Sequence, residues 1–188
     1  MLELAPGLLI AAPTMTDPRF ERSVILLAEA NDEGALGFVV NRRAPYTFGQ
    51  LAGEIGIETV DALSAGSVHF GGPVSPERGW ILFRSERDAD TDDDAIIQVG
   101  DTFRVSAAVE VLDRLVQRVQ PPPFRLFLGY AGWGPHQLET ELSEGAWLPM
   151  ELDAELVFDT PEDRLWDEAV RKLGLVPGGF FMGGSAEA

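Results

Sequence analysis

The chain has 188 residues, with 31 acidic against 14 basic side chains and a formal net charge of -17 at pH 7. Such an excess repels a phosphate backbone unless the bases cluster on one face, so direct binding to nucleic acid is disfavoured. No cysteine is present, which excludes disulfides, thiol nucleophiles, thiolate zinc sites and iron-sulfur clusters.

A hydrophobic share of 45% and a charged share of 24% are those of an ordinary folded protein. The length predicts one domain, taken as residues 1–176, with 177–188 a loosely docked, glycine-rich tail. The start, Met1-Leu2-Glu3, has no basic n-region, and the apolar run 8–12 is too short for a signal peptide. No stretch reaches the roughly 18 apolar residues of a membrane span. A cytoplasmic protein with no membrane association is therefore expected.

In chain order, 8–12, 24–29 and 36–41 are β-prone runs, the last two paired across the turn at Asn31-Asp32-Glu33-Gly34. Residues 47–55 predict a short helix capped by Thr47 and ended by Gly56. Runs 68–70 and 80–83 predict strands, joined by a link from Gly71 to Gly79 in which Pro73 and Pro76 interrupt pairing. Gly100 and Asp101 place a hairpin between 96–99 and 103–105. Ser106 is expected to cap a helix over 107–119 with Val109, Leu112, Val116 and Val119 on its buried stripe, stopped by Pro121 to Pro123. A strand-like run, Leu126 to Leu128, then enters an expected turn at Gly129-Tyr130-Ala131-Gly132-Trp133-Gly134-Pro135, where three glycines imply positive φ or close backbone approach. A helix over 137–144, a strand at 146–148 and a final helix over 161–173, capped from Asp159 or Thr160, complete the order.

The early strands lack the helices of 10 or more residues that parallel crossovers need. The expected class is α/β of the α+β type, a mixed and mostly antiparallel sheet with helices packed outside. Four segments, Gly7–Pro13 with Asp17, Pro18, Phe20 and Arg22, then Glu33–Arg42, Phe70–Gly79 and Leu126–Trp147, together resemble the YqgE/AlgH family of bacterial proteins. The resemblance implies a single domain whose mixed sheet is partly barrel-like and surrounded by helices. The family is often labelled a transcriptional regulator, with no catalytic set to carry over. Where many members carry a Cys-Glu-His-like triplet, this chain has Ala28, Glu29 and Ala30, so a thiol or imidazole role is absent there.

Catalytic motifs are few. The only histidines, His69 and His136, have no spacing for a triad or a metal site, and His69 in an apolar strand is expected to be structural. The glycine stretch fits neither GxGxxG nor GxxxxGK[ST]. Asp88, Asp90, Asp92, Asp93 and Asp94 lack the glycine and glutamate of a calcium loop and are read as a solvated turn. No catalytic residue, metal or cofactor is assigned. Polar residues least explained by packing are Asp17, Arg22, Asn41 and Arg42, which suit a small anionic ligand or a structural ion pair of Asp17 with Arg22 or Arg42. With them, Gly71, Gly72, Tyr130, Gly132, Trp133 and Gly134 form the candidate ligand-binding set, against a plain packing role for Tyr130, Trp133 and Trp147. The leading expectation is a non-enzymatic protein acting through protein partners, with an acidic surface that favours a basic one. A small-molecule ligand or weak enzyme comes second and a DNA-binding regulator third.

Overall fold

Runs such as Val24-Ile25-Leu26-Leu27-Ala28 are apolar without alternation, the pattern of strands covered on both faces. The computed structural model, which describes residues 4–59, 63, 66–84 and 95–176, shows why. Its ten strands are β1 (Gly7–Ala11), β2 (Val24–Asn31), β3 (Gly34–Val39), β4 (Arg43–Thr47), β5 (Ser67–Phe70), β6 (Val74–Arg84), β7 (Ile96–Val99), β8 (Phe103–Ser106), β9 (Phe124–Trp133) and β10 (Trp147–Glu151). Five helices are described: α1 (Phe48–Glu54), α2 (Val109–Val116), α3 (Gln137–Ser143), α4 (Ala154–Asp159) and α5 (Glu162–Lys172). The main sheet runs β10-β1-β2-β3-β9-β6-β8-β7, with β5 and then β4 branching from β9. Every pairing is antiparallel except β5 with β9, so the sheet is mixed and mostly antiparallel as expected.

The sheet curls into a half-barrel. One core gathers residues from β1, β2, β3, β9, β6, β8 and β7, among them Leu8, Val24, Phe38, Phe127, Trp80, Val105 and Val99. Contributions from every strand along the curl identify it as the concave interior. Helices α4 and α5 close it with Leu156, Val157, Leu165 and Trp166, and the Trp166 Nε1 donates to the Ala11 carbonyl at 2.8 Å. Alternate residues of the same strands point outward. Leu9, Ile25 and Val39 pack near Leu138 of α3, whereas Ile81, Phe83, Leu126 and Leu128 pack under α1 and α2.

Several local expectations hold for identifiable reasons. Thr47 forms a capping box with Gln50, and Gly56 follows α1 at φ 74°. Gly100 sits at φ 62° in the β7–β8 hairpin.

Others are corrected. The stretch after Leu128 is no turn, because β9 continues to Trp133. The segment from Gly71 is only partly a link: β6 begins at Val74, and Val74 to Gly79 covers five steps against two from Tyr130 to Leu128 on β9, a large bulge that holds Pro76. Ser106 ends β8, where its Oγ donates to the Ala95 carbonyl and accepts from the Ala108 N–H, and α2 begins later, at Val109. The buried stripe of α2 is Val111, Leu112, Leu115 and Val116. Val109 is exposed, and Val119 lies beyond the helix and in solvent. Helix α4 was not expected, and Pro161 rather than Asp159 or Thr160 stands at the N-cap of α5. The acidic run 88–94 and the tail 177–188 lie outside the described residues.

Candidate functional site

Among the described residues, a polar cavity next to the sequence-predicted residues and an apolar groove combine chemistry with space. The polar one begins where β3 ends. Asn41 uses both ends of its amide within the chain, accepting from the Val24 N–H and donating to the Arg22 carbonyl, each at 2.9 Å. Arg42 donates to the carbonyls of Pro18 and Glu21 at 2.9 Å. Together they fasten the 17–22 loop to the sheet. Asp17 pairs with Arg19 at 2.7 Å rather than with Arg22 or Arg42. Arg22 reaches Asp167 at 2.8 Å and lies 4.4 Å from the Trp166 ring centroid. The structure thus brings Asp17, Arg22, Asn41 and Arg42 together around one loop.

Next to them is an ionic chain that sequence reading did not assemble. Glu162, in the first turn of α5, accepts from the His69 Nε2 at 3.0 Å on one oxygen and from the Arg43 guanidinium at 3.0 and 3.2 Å on the other. His69 and Arg43 face each other across β5 and β4. A cavity of about 440 Å³ opens here, lined by Asn41, Arg43, Pro161, Glu162 and Asp163. Partial burial opposes ionisation of Glu162, but the hydrogen bonds from His69 and Arg43 outweigh it and bring its pKa down to about 2. His69 moves below its ordinary value because its burial outweighs the attraction of Glu162. His69 is hydrogen-bonded, as expected, and buried, with 2% of its surface exposed.

Both shifts act in one direction. A carboxyl whose folded pKa is depressed contributes fully above its ordinary 4.5 and loses that contribution as the pH falls toward 2. A histidine whose folded pKa is below 6.5 resists protonation in the fold, so acidification through and below 6.5 also favours unfolding. The Glu162 shift is nominally on the order of 3 kcal/mol at about 1.4 kcal/mol per pH unit, and partial exposure discounts it to about 1–2 kcal/mol. Thermal melts from pH 7 to 3 are expected to show a falling Tm, with Glu162→Gln less stable at pH 7 and flatter below pH 4.5. Parallel curves for the two proteins would refute the assignment.

The glycine set lies where two backbones meet. Gly71 and Gly72 run against Gly129 and Tyr130 so closely that a Cβ on Gly72 would lie 2.2 Å from the Tyr130 carbonyl carbon. Gly132 is exposed in β9, and the Gly134 N–H donates to the Gln137 side chain at 3.0 Å. Tyr130 is partly buried against the concave core, its ring 5.9 Å from Trp80. Trp133 and Trp147 are buried at 6% and 2% exposure, and both indole N–H groups donate to Glu141 Oε2, at 2.9 and 2.7 Å. These rings pack, as the plainer expectation had it.

The apolar place lies on the convex side. A groove of about 240 Å³ separates α1 from α2. Its floor is Gly79, Ile81, Leu126 and Leu128, and its walls are Leu51 and Ile55 on one side and Ala108, Val109 and Leu112 on the other. Ile55 and Val109 stand 44% and 45% exposed at its lip. Sequence reading put Val109 on a buried stripe. The floor side chains Ile81, Leu126 and Leu128 are buried, and the groove between the two short helices is set by tertiary packing and has no sequence motif.

A family model described as AlgH-like, DUF179, matches residues 8–178. The chain belongs to the AlgH-like family. It is 46% identical over 187 residues to a UPF0301 protein of Anaeromyxobacter sp. (strain Fw109-5), covering 96% of this chain and 94% of the relative. A UPF0301 protein of Myxococcus xanthus is 40% identical, covering 97% and 98%. The solution structure of the AlgH protein from Pseudomonas aeruginosa matches with a TM-score of 0.75 at 32% identity, over 92% of this chain and 89% of that one. An X-ray structure from Corynebacterium diphtheriae, at 24% identity and a TM-score of 0.70, shares the fold. Among the described residues of this AlgH-like chain, no three of His, Asp and Glu converge as metal ligands. None of its described helices is long and apolar enough to cross a membrane.

Proposed function

We propose that this AlgH-like protein is a cytoplasmic, non-catalytic binding module that acts by holding a segment of another protein in the groove between α1 and α2. The groove itself carries the reading: its lining is mostly apolar, its sheet floor has free space above Gly79, and two aliphatic side chains stand exposed at its lip. At about 240 Å³ it falls below the roughly 300–1,000 Å³ usual for small-molecule pockets and suits one or two anchoring side chains. Exposed apolar surface rimmed by polar residues is the ordinary mark of such contacts. A regulator label, on this view, describes action through a protein partner, in keeping with the charge of -17.

A photo-crosslinking residue placed at Val109 tests this in the protein's own host cells, with Arg164 on α5 as the control position. A discrete crosslinked species from Val109 and none from Arg164 is the expected result. Equal crosslinking at both positions, or none at either, would refute the binding role of the groove.

A further inference from the structure

From the charges around the lip of that groove we infer the chemistry of its occupant: a partner segment that presents a large apolar anchor flanked by lysine or arginine. The inference rests on the binding reading above and adds the partner's class. Exposed Glu77 lines the groove, and the exposed residues Glu54 and Glu110 adjoin the lip residues Ile55 and Val109 in sequence. Against them, Arg78 lines the groove with its guanidinium 4.9 Å from the Trp80 ring centroid, and Arg114 sits a turn farther along α2. Carboxylates thus outnumber guanidinium groups on and next to the lip, three to two, within a chain whose whole field is strongly negative. That field draws in a basic segment and opposes a second copy of the same chain.

Gly79 supplies the independent observation. It lies on β6 where the bulge ends, and a Cβ built on it would meet nothing within 4 Å. A glycine inside a strand gives up packing and marks places where another backbone or a ligand comes close. The space above Gly79 is open floor, so an anchor side chain can reach the sheet there. The same openness makes Gly79→Leu a plug that leaves the charge unchanged.

The test uses three fluorescent amphipathic peptides of about 15 residues, long enough to form a helix on binding. Leucine forms one face of each, and the other face is lysine, glutamine or glutamate. By fluorescence anisotropy the lysine peptide is expected to bind at least about tenfold tighter than the glutamine peptide, a difference of about 1.4 kcal/mol. Binding should weaken as salt is raised, and the glutamate peptide should not bind. Gly79→Leu should remove binding with the melting temperature retained. Val109→Asp, at an exposed position, should remove it too, despite adding a negative charge.

Equal binding of the lysine and glutamine peptides, both lost in Gly79→Leu, would keep the groove and overturn the basic partner. Lysine-peptide binding that survives both substitutions would be diffuse attraction, and no binding of any peptide would leave the groove unoccupied. Either result overturns both readings. A wild-type dimer that Gly79→Leu dissociates would make a second copy the occupant and overturn this inference.

Discussion

Gly72→Ala is expected to yield little or no folded protein. The added methyl would sit 2.2 Å from the Tyr130 carbonyl carbon, 2.3 Å from the Tyr130 oxygen and 2.3 Å from the Ala131 nitrogen, all of them backbone atoms. None can swing aside as a side chain end could. The backbone across the contact is equally committed: a Cβ on Gly71 would lie 2.2 Å from the Gly129 oxygen, and Gly129 itself is held at φ 70°. Relief requires β9 to separate from the Gly71–Gly72 segment, and β9 is the strand that joins β3, β5 and β6. A cost of about 4 kcal/mol or more follows, in the exceptional range for one substitution and a large part of the roughly 5–15 kcal/mol that holds a domain together. Gly53→Ala is the control. It lies in α1 with nothing within 4 Å of its would-be Cβ, and there alanine should add about 0.5–1 kcal/mol. Denaturant melts giving similar stabilities for the two variants would refute the interlock.

The second large effect is expected at Glu141. One carboxylate oxygen accepts from two buried indoles, Trp133 and Trp147, and the other from Gln137 at 2.9 Å. The two rings meet edge to face at 6.0 Å. Glu141→Ala strands two buried N–H donors, each at a cost of about 1–3 kcal/mol, so a loss of about 3–5 kcal/mol is expected. Glu141→Gln keeps a carbonyl oxygen in place and should cost about 1–2 kcal/mol. Near-ultraviolet circular dichroism and the chemical-denaturation midpoint report the two effects. An alanine variant as stable as the glutamine variant would show that the indoles do not depend on the carboxylate.

Elements governed by local chemistry were legible in the sequence. Thr47 and Gln50 are three residues apart and cap α1 by themselves, and the β7–β8 hairpin needs only its Gly100 corner. Elements decided by distant packing were not. The glycines after Leu128 read as a reversal because nothing local distinguishes a turn from a strand pressed against a second backbone. Helix α4 carries an Asp153 cap, but its six residues are too few to show periodicity. On α2, Val109 has the right spacing for the buried stripe, yet the helix rotates Val111 and Leu115 inward and leaves Val109 at the lip of the groove. The polar loop was partly legible, since Asn41 and Arg42 do meet residues 18–24. Its neighbour Glu162 was not, because it joins His69 from 93 residues away.

The pairing of β1 with β10, Gly7 opposite Glu151, bears on how the protein is made. At about 5–20 residues per second, roughly 7 to 30 s of translation separate these strands. During that interval the outer edge of β1 has no native neighbour, and the apolar residues that α4 and α5 will cover have no lid. Contacts this distant in sequence slow folding, and an open strand edge is a template for pairing with another chain. The nascent protein is thus most vulnerable to aggregation just before β10, α4 and α5 emerge.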